Sequence, residues 1–161
     1  MRRLIQTLAL CLCLAPLAAA AQQLAFGGIK ADTTAPVEIV SDTFAVDQTD
    51  GTATFTGNVI VAQGDMRLQA ETVVVDYVDN DNSRIDRLHA TGGVTLVSAS
   101  DAAESAEAIY EVAAGRVTMT GNVLLTQGVN VMSGQRLTVD LNNGTGQMDG
   151  RVRTILQPGG N

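Results

Sequence analysis

The chain has 161 residues, 45% of them hydrophobic and only 3% aromatic, and a net charge of −7. That length suits a single domain. The acidic balance opposes nucleic-acid binding, which rests on cation–phosphate contacts, and a polybasic role at a membrane surface.

At the N-terminus Arg2 and Arg3 precede an apolar run, "LIQTLALCLCLAPLA" (4–18), which is short for a membrane span. Small residues follow in "AAAAQQ" (18–23). This is the pattern of a secretory signal peptide, cleaved after Ala20 or Ala21, so residues 1–21 are expected to leave the chain. Cys11 and Cys13 each follow a leucine, whereas a lipoprotein signal needs a small residue before its cysteine. Both cysteines fall in this segment, so the mature chain is expected to have no disulfide and no thiol chemistry. Without Arg2 and Arg3, 8 basic residues face 17 acidic ones, a net charge of −9. Residues 22–36 read as a flexible lead, 37–158 as the folded domain and 159–161 as a tail.

From Val37 onward the chain reads as strands. "TGNVIVAQG" (56–64) returns as "TGNVLLTQG" (120–128), identical at six of nine positions. The Gly-x-Val signature occurs at 57–59, 92–94, 121–123 and 150–152, with spacings of 35, 29 and 29 residues. A six-residue polar insertion, "DNDNSR" (79–84), accounts for the longer interval. A second marker keeps the same register: Val46-Asp47, Val75-Asp76, Tyr110-Glu111 and Val139-Asp140. The connectors "QTDGTATFT", "VAAGRVTMT" and "LNNGTGQMD" each place a glycine in a turn. The unit is therefore strand, turn, strand, turn over about 29 residues, repeated about four times. Gly57 and Gly121 are expected to mark hairpin turns. "SASDAAESAEAIYEV" (98–112) has helix-forming composition, but its alignment with "QGVNVMSGQRLTVDL" favours a strand.

Within each unit, β-branched residues alternate with polar ones. Thr95, Thr118 and Thr138 each lie between apolar neighbours, so the threonines face out and the apolar set faces in. The predicted inner row is Phe55, Val59, Val61, Leu68, Val73, Val75, Leu88, Val94, Leu96, Tyr110, Val117, Met119, Val123, Leu125, Leu137 and Val139. Ile60, Val74 and Leu124 fall on the outer face.

At this point the sequence resembles a known family. "VEIVSDTFAVDQTDGTATFTGNVIVAQGDMRLQAETVVVDY" (37–77), with the I-x-S-D motif of Ile39, Ser41 and Asp42 and with "FTGNVIVAQG" (55–64), is similar to the start of the LptA-like, or organic-solvent-tolerance, domain. "LTVDL" (137–141) and "RVRTILQP" (151–158) extend the likeness over residues 37–158. The resemblance implies an open β-jelly roll, two antiparallel sheets forming a V with an apolar interior. It implies a periplasmic lipopolysaccharide carrier that holds lipid A acyl chains against the inner row and is not an enzyme. It also implies partners: an LptC-like inner-membrane protein, the N-terminal domain of an LptD-like outer-membrane translocon, and further copies of the chain stacked head to tail. The joints would be edge strands at Val37, Ile39 and Val40 and at Val152, Ile155 and Leu156. The stand-alone soluble member is the best match. A trough of aliphatic residues suits sliding acyl chains, each CH₂ of which gains about 0.8 kcal/mol on burial.

No cofactor, metal motif, phosphate loop or nucleophile elbow is present in the sequence. His89, the only histidine, has no clustered ligand partner. The acids Asp47, Asp76, Glu111 and Asp140 recur once per repeat at strand ends, a spacing for turns and solvation rather than catalysis. "DYVDNDNS" (76–83) lacks the central Gly and terminal Glu of a calcium loop and reads as a polar hairpin insertion. Arg67, Arg136, Arg151 and Arg153 suit a solvated face better than a phosphate site, and "NGT" (143–145) reads as a tight turn. Two other classes fit a repeat of this length: a structural β-solenoid or adhesin-like protein, with parallel strands, and a polysaccharide-active enzyme.

Overall fold

The computed structural model describes residues 24–25, 29–78, 81–99 and 101–157. The expected signal peptide (1–21) and tail (159–161) lie outside the described residues. Eleven strands follow in chain order: β1 (Leu24–Ala25), β2 (Glu38–Val40), β3 (Thr43–Asp47), β4 (Thr52–Gln63), β5 (Met66–Val78), β6 (Asp81–Ser98), β7 (Asp101–Glu111), β8 (Arg116–Gln127), β9 (Asn130–Asp140), β10 (Thr145–Asp149) and β11 (Arg153–Ile155). They form one sheet in the order β1-β10-β9-β8-β7-β6-β5-β4-β2, with β3 beside β4 and β11 beside β9. Among the described residues there is no helix. Every strand pair is antiparallel. That removes the solenoid reading, which requires parallel coils. Residues 101–111 are strand β7, as the repeat alignment predicts.

The two sheets of the expected V are two halves of one continuous sheet. Each long strand bends near its middle, and the bend is where the Gly-x-Val signature sits. Gly57, Gly92 and Gly121 therefore do not turn hairpins; they lie inside β4, β6 and β8. At Gly57-Asn58 both residues have positive φ, 85° and 48°, and at Gly121-Asn122 the values are 88° and 50°. Two such residues in a row leave extended strand geometry for a left-handed conformation, which glycine adopts freely and asparagine tolerates. In the pairing of β4 with β5, Gly57 and Asn58 oppose one residue between Thr72 and Ala70, which makes a β-bulge. Equivalent register shifts occur at Thr91/Val94 and Thr120/Val123. The actual hairpin turns lie at both ends of the strands, for instance at Gly64-Asp65 and at residues 112–115. The insertion at 79–84 lengthens the β5–β6 hairpin, where Val78 pairs with Asp81.

Folding the sheet at these corners brings its two halves face to face around a single core. The buried hydroxyl of Tyr110, near the end of β7, donates to Gln63 Oε1 at the opposite end of β4. That bond joins one half of the sheet to the other. Thr95, Thr118 and Thr138 lie half-buried on the opposite face from the core.

The repeated acids fall into one cross-strand row with arginines between them. Asp76 receives Arg87 Nη2 at 2.7 Å, and Glu111 faces Arg116 at 3.7 Å. Asp47 accepts from the backbone N–H groups of Thr49 and Asp50, and Asp140 from those of Asn142 and Asn143. The row thus closes turns and neutralises neighbouring charges. Asn143 in turn accepts from Thr145 N–H at 2.9 Å, building the β9–β10 turn expected at "NGT".

The expected flexible lead is partly ordered. Ile29 is fully buried in the core, and residues 30–35 are hydrogen-bonded to three separate turns of the sheet. Glycine, threonine and proline give this stretch a loop composition, but backbone bonds hold it in place.

Candidate functional site

The inner face of the folded sheet is a continuous apolar surface. Val59, Val61, Leu68, Val73, Val75, Val94, Leu96, Tyr110, Val117, Met119, Val123, Leu125, Leu137 and Val139 are each at most 3% exposed, as is Leu88. All are brought into one cluster by the corners. In this conformation they touch one another and not solvent. The inner row advances four residues across the corner on the bulged strand, from Phe55 to Val59, and three on its partner, from Ala70 to Val73. Simple alternation breaks there, and the repeat register carries the pattern across.

Phe55 differs from the rest. It is half-buried, beside the edge of the sheet, where the inner face emerges from the core. Across the β3–β4 ladder Phe44 pairs with Phe55 and Val46 with Ala53. Ala53 is buried, but Phe44 and Val46 are each 58% exposed. The Phe44 and Phe55 rings lie 4.9 Å apart between centroids. A cleft of about 420 Å³ opens at the β3–β4 turn, lined by Val46, Ala53 and Tyr77 together with Asp47, Gln48, Gly51 and Thr52. Phe44 and Val46 are absent from the sequence-predicted row. The signal for both was present: they stand at period two before the Val46-Asp47 marker, on the strand that opens the first repeat.

Gln63, Ser98, Asp101 and the Tyr110 hydroxyl bring polar groups into this apolar face. Gln63 is buried and uses both ends of its amide. Its Oε1 accepts from Tyr110, and its Nε2 donates to the carbonyls of Thr33 and Ala35 at 3.1 and 2.9 Å. Burial pushes the Tyr110 hydroxyl pKa up, opposed in part by the bond to Gln63. The hydroxyl therefore stays protonated and donating. No described buried side-chain N or O atom lacks a partner.

The sheet edges carry the residues expected at joints. Val37, just before β2, and Ile39 within it pack against the core, while Val40 is exposed. At the other end Val152, Ile155 and Leu156 are all exposed around β11. The two edges differ: β1 pairs with β10 on one, through Leu24 opposite Gly146 and Ala25 opposite Thr145. Ile60 and Leu124 lie exposed on the outer face, where the repeat register puts them, and Val74 is half-buried there.

The charged candidates do not converge. Arg67 donates to the carbonyls of Gly64 and Met66 within its own turn. Arg136 on β9, Arg151 in the bend before β11 and Arg153 on β11 are exposed. His89 Nε2 lies 3.3 Å from Glu107, whose carboxyl is held below its ordinary pKa range by Thr120 and then by His89. Among the described residues no group of three or more His, Cys, Asp and Glu side chains could hold a metal. No helix there is long and apolar enough to cross a membrane.

Comparison with known proteins places this geometry. Residues 38–145 match the family described as "LptA/(LptD N-terminal domain) LPS transport protein". An uncharacterised protein of Rhizobium meliloti is 33% identical over 141 residues, covering 81% of this chain and 76% of that one. The lipopolysaccharide export system protein LptA of Escherichia coli K12 is 32% identical over 116 residues, covering 68% of this chain and 62% of its own length. In crystal form, LptH of Pseudomonas aeruginosa superposes with a TM-score of 0.70 over 80% of this chain and 99% of its own, at 19% identity. That likeness bears on the fold: the same unclosed antiparallel sheet. The match over most of the domain and the identity to the curated relatives carry the assignment further: the chain belongs to the LptA/LptD N-terminal-domain family of lipopolysaccharide transport proteins.

Proposed function

We propose that this chain is a periplasmic lipopolysaccharide carrier that receives lipid A acyl chains on the inner face of its folded sheet. The observation that carries the reading is the continuity of that face. It runs from the closed core out to exposed Phe44 and Val46 on β3, which pair with half-buried Phe55 and buried Ala53 of β4. An acyl chain arriving there moves from one apolar surface to the next and avoids water, a gain of about 0.8 kcal/mol for each CH₂ kept buried. No directional bond along the row holds a chain at one depth, so it can slide.

The outer edges of β2 and β11, which pair with no further strand among the described residues, suit strand addition, in which main-chain hydrogen bonds join one domain to the next. On this reading the chain stacks head to tail with copies of itself. An LptC-like inner-membrane protein and the N-terminal domain of an LptD-like translocon then cap the two ends. An exposed edge with apolar residues is a hazard in a monomer, and a joint gives it a use.

A photo-crosslinking residue tests the inner-face reading directly. Placed at Phe44, Leu125 or Val139 it should capture lipopolysaccharide during transport; at Thr138, on the outer face, it should not. Equal capture at Thr138 and Val139 would remove the inner-face assignment. A proline at Ile39 or Ile155 should block end-to-end assembly in size-exclusion chromatography and leave the fold intact by circular dichroism. Unchanged oligomers would remove the edge joint.

A further inference from the structure

The inner face is closed, and it is closed by a segment of the chain itself. Residues 29–35 run along the seam where the two rims of the folded sheet meet. Gln63, Gly64 and Ser98 belong to one rim, at the turns after β4 and β6. Leu141 and Asn142 belong to the other, at the turn after β9. The strap is fastened to both in alternation. Lys30 C=O accepts from Ser98 Oγ at 2.8 Å, and Ala31 N–H donates to Leu141 O at 3.3 Å. Gly64 then lies against Asp32. Thr33 Oγ1 donates to Asn142 Oδ1 at 2.9 Å, while Thr33 and Ala35 carbonyls accept from Gln63 Nε2. Ile29 is fully buried in the core at the start of the strap.

From this arrangement we infer that the strap is a gate. Residues 29–35 seal the seam of the apolar interior, and an arriving acyl chain displaces them, taking the place of Ile29 against the inner face. The inference rests on the lipid-carrier reading and adds how the site opens.

Three features support it. The inner-row residues are at most 3% exposed apart from Phe55, so acyl chains reach them only if the halves part. Parting them anywhere within the sheet breaks a ladder of backbone hydrogen bonds, whereas among the described residues the hydrogen bonds across the seam are those of the strap and the one between Tyr110 and Gln63. The strap itself is shallow. Positions 30, 32, 34 and 36 are exposed and 31, 33 and 35 only half-buried, so one isoleucine is its sole fully buried anchor. Segments with few buried apolar contacts and exposed backbone bonds open at the low end of a protein's stability range. An acyl chain offers the core more apolar area than the isoleucine it replaces.

The test locks the strap. Thr33→Cys with Asn142→Cys puts a disulfide across the contact, in the full chain with Cys11→Ala and Cys13→Ala so that only the new pair oxidises. Titration with a fluorescent long-chain fatty acid should show binding weakened by about tenfold or more when oxidised and restored by reductant. Equal affinity in the two redox states overturns the gate and leaves the carrier reading standing. Failure of the reduced and the unsubstituted chains to bind the fatty acid overturns the carrier reading and the gate with it. Hydrogen exchange on the unsubstituted chain gives a second readout. Lipid A micelles should speed exchange at the Ala31 amide by about tenfold while Val123 and Leu125 stay protected. Slower or unchanged exchange at Ala31 marks the strap as a fixed wall and overturns the inference.

Discussion

Residues 56–64 and 120–128 are nearly the same sequence in two different places. Both make the same corner: Gly57-Asn58 and Gly121-Asn122 take the same pair of positive φ angles. Both send the same positions inward, Val59 and Val61 in the first, Val123 and Leu125 in the second. The copies part company at their final glutamines. Gln63 is buried and holds Tyr110 and the strap; Gln127 is half-buried and donates to Asp101 at 2.9 Å on the neighbouring strand. The repeat encodes the bend and the inner face. What each copy does beyond that depends on what the fold lays beside it.

The largest expected difference lies at the paired inner positions Val61 and Leu125. Leu125→Ala, in the centre of the sheet, should cost about 3 kcal/mol through lost burial and the cavity left behind. Val61→Ala removes less volume near the seam and should cost about 2 kcal/mol. Urea midpoints measure both. A smaller loss at Leu125 than at Val61 would mean that the middle of the sheet collapses around the cavity more readily than the seam.

The corner glycines come next. A Cβ at Gly121 would stand 2.7 Å from the Cβ of Ala106, which is fixed to the backbone of β7. At Gly57 the nearest atom is Asp42 Oδ2, at 2.5 Å, the end of a side chain that can swing. Each substitution also strains a positive φ. Gly121→Ala should cost about 2–3 kcal/mol and Gly57→Ala about 1–2 kcal/mol, part of it through the bond from Asn58 to Asp42. Equal costs would show that backbone strain alone, not the neighbour, sets the penalty.

How much of this was legible follows from the same residues. The inner row is a local pattern, and alternation with β-branched residues exposes it in the sequence. The corner was misread because Gly-Asn between two strands has the composition of a hairpin turn. What makes it a bulge is the length of the partner strand, which is not local information. "GGIKADTTAP" contains one large apolar residue and no period, the composition of a flexible segment. Its fastening comes from backbone groups and from Gln63, 28 and 30 residues away from its partners. Phe44 and Val46 fit the alternation but fell before the first complete repeat, so the exposed end of the inner face was missed while its buried length was found.

The two glutamines offer a smaller contrast with a sharper meaning. Gln63→Ala leaves the buried Tyr110 hydroxyl without its acceptor and two strap carbonyls without their donor. It should cost about 2 kcal/mol, since unpaired buried polar groups carry their full desolvation penalty. Gln127→Ala loses one bond at a partly solvated site and should cost about 0.5–1 kcal/mol. Tyr110→Phe in the Gln63→Ala background should recover part of the loss, because both members of the pair are then gone. No recovery would place the cost of Gln63→Ala in the strap alone.

The smallest contrast lies at the strand ends that precede the two copies, Asp47 and its counterpart Glu111. Backbone N–H groups of Thr49 and then Asp50 hold the Asp47 carboxyl below the ordinary aspartate range. Its contribution is therefore complete above the unfolded-chain pKa and is lost as pH falls through the lower folded value, below about pH 4. Glu111 instead faces a charge, Arg116 at 3.7 Å, with both side chains about half exposed. Asp47→Asn should flatten the fall of the melting temperature between neutral pH and pH 3 by a small margin, at low and high salt alike, because its partners are amides. Glu111→Gln should chiefly reduce the sensitivity of stability to added salt, because screening acts on exposed ion pairs. If Asp47→Asn left the acid slope unchanged while altering the salt response, the two turns would have exchanged roles, and the bond from Thr49 N–H would not be what holds the first of them.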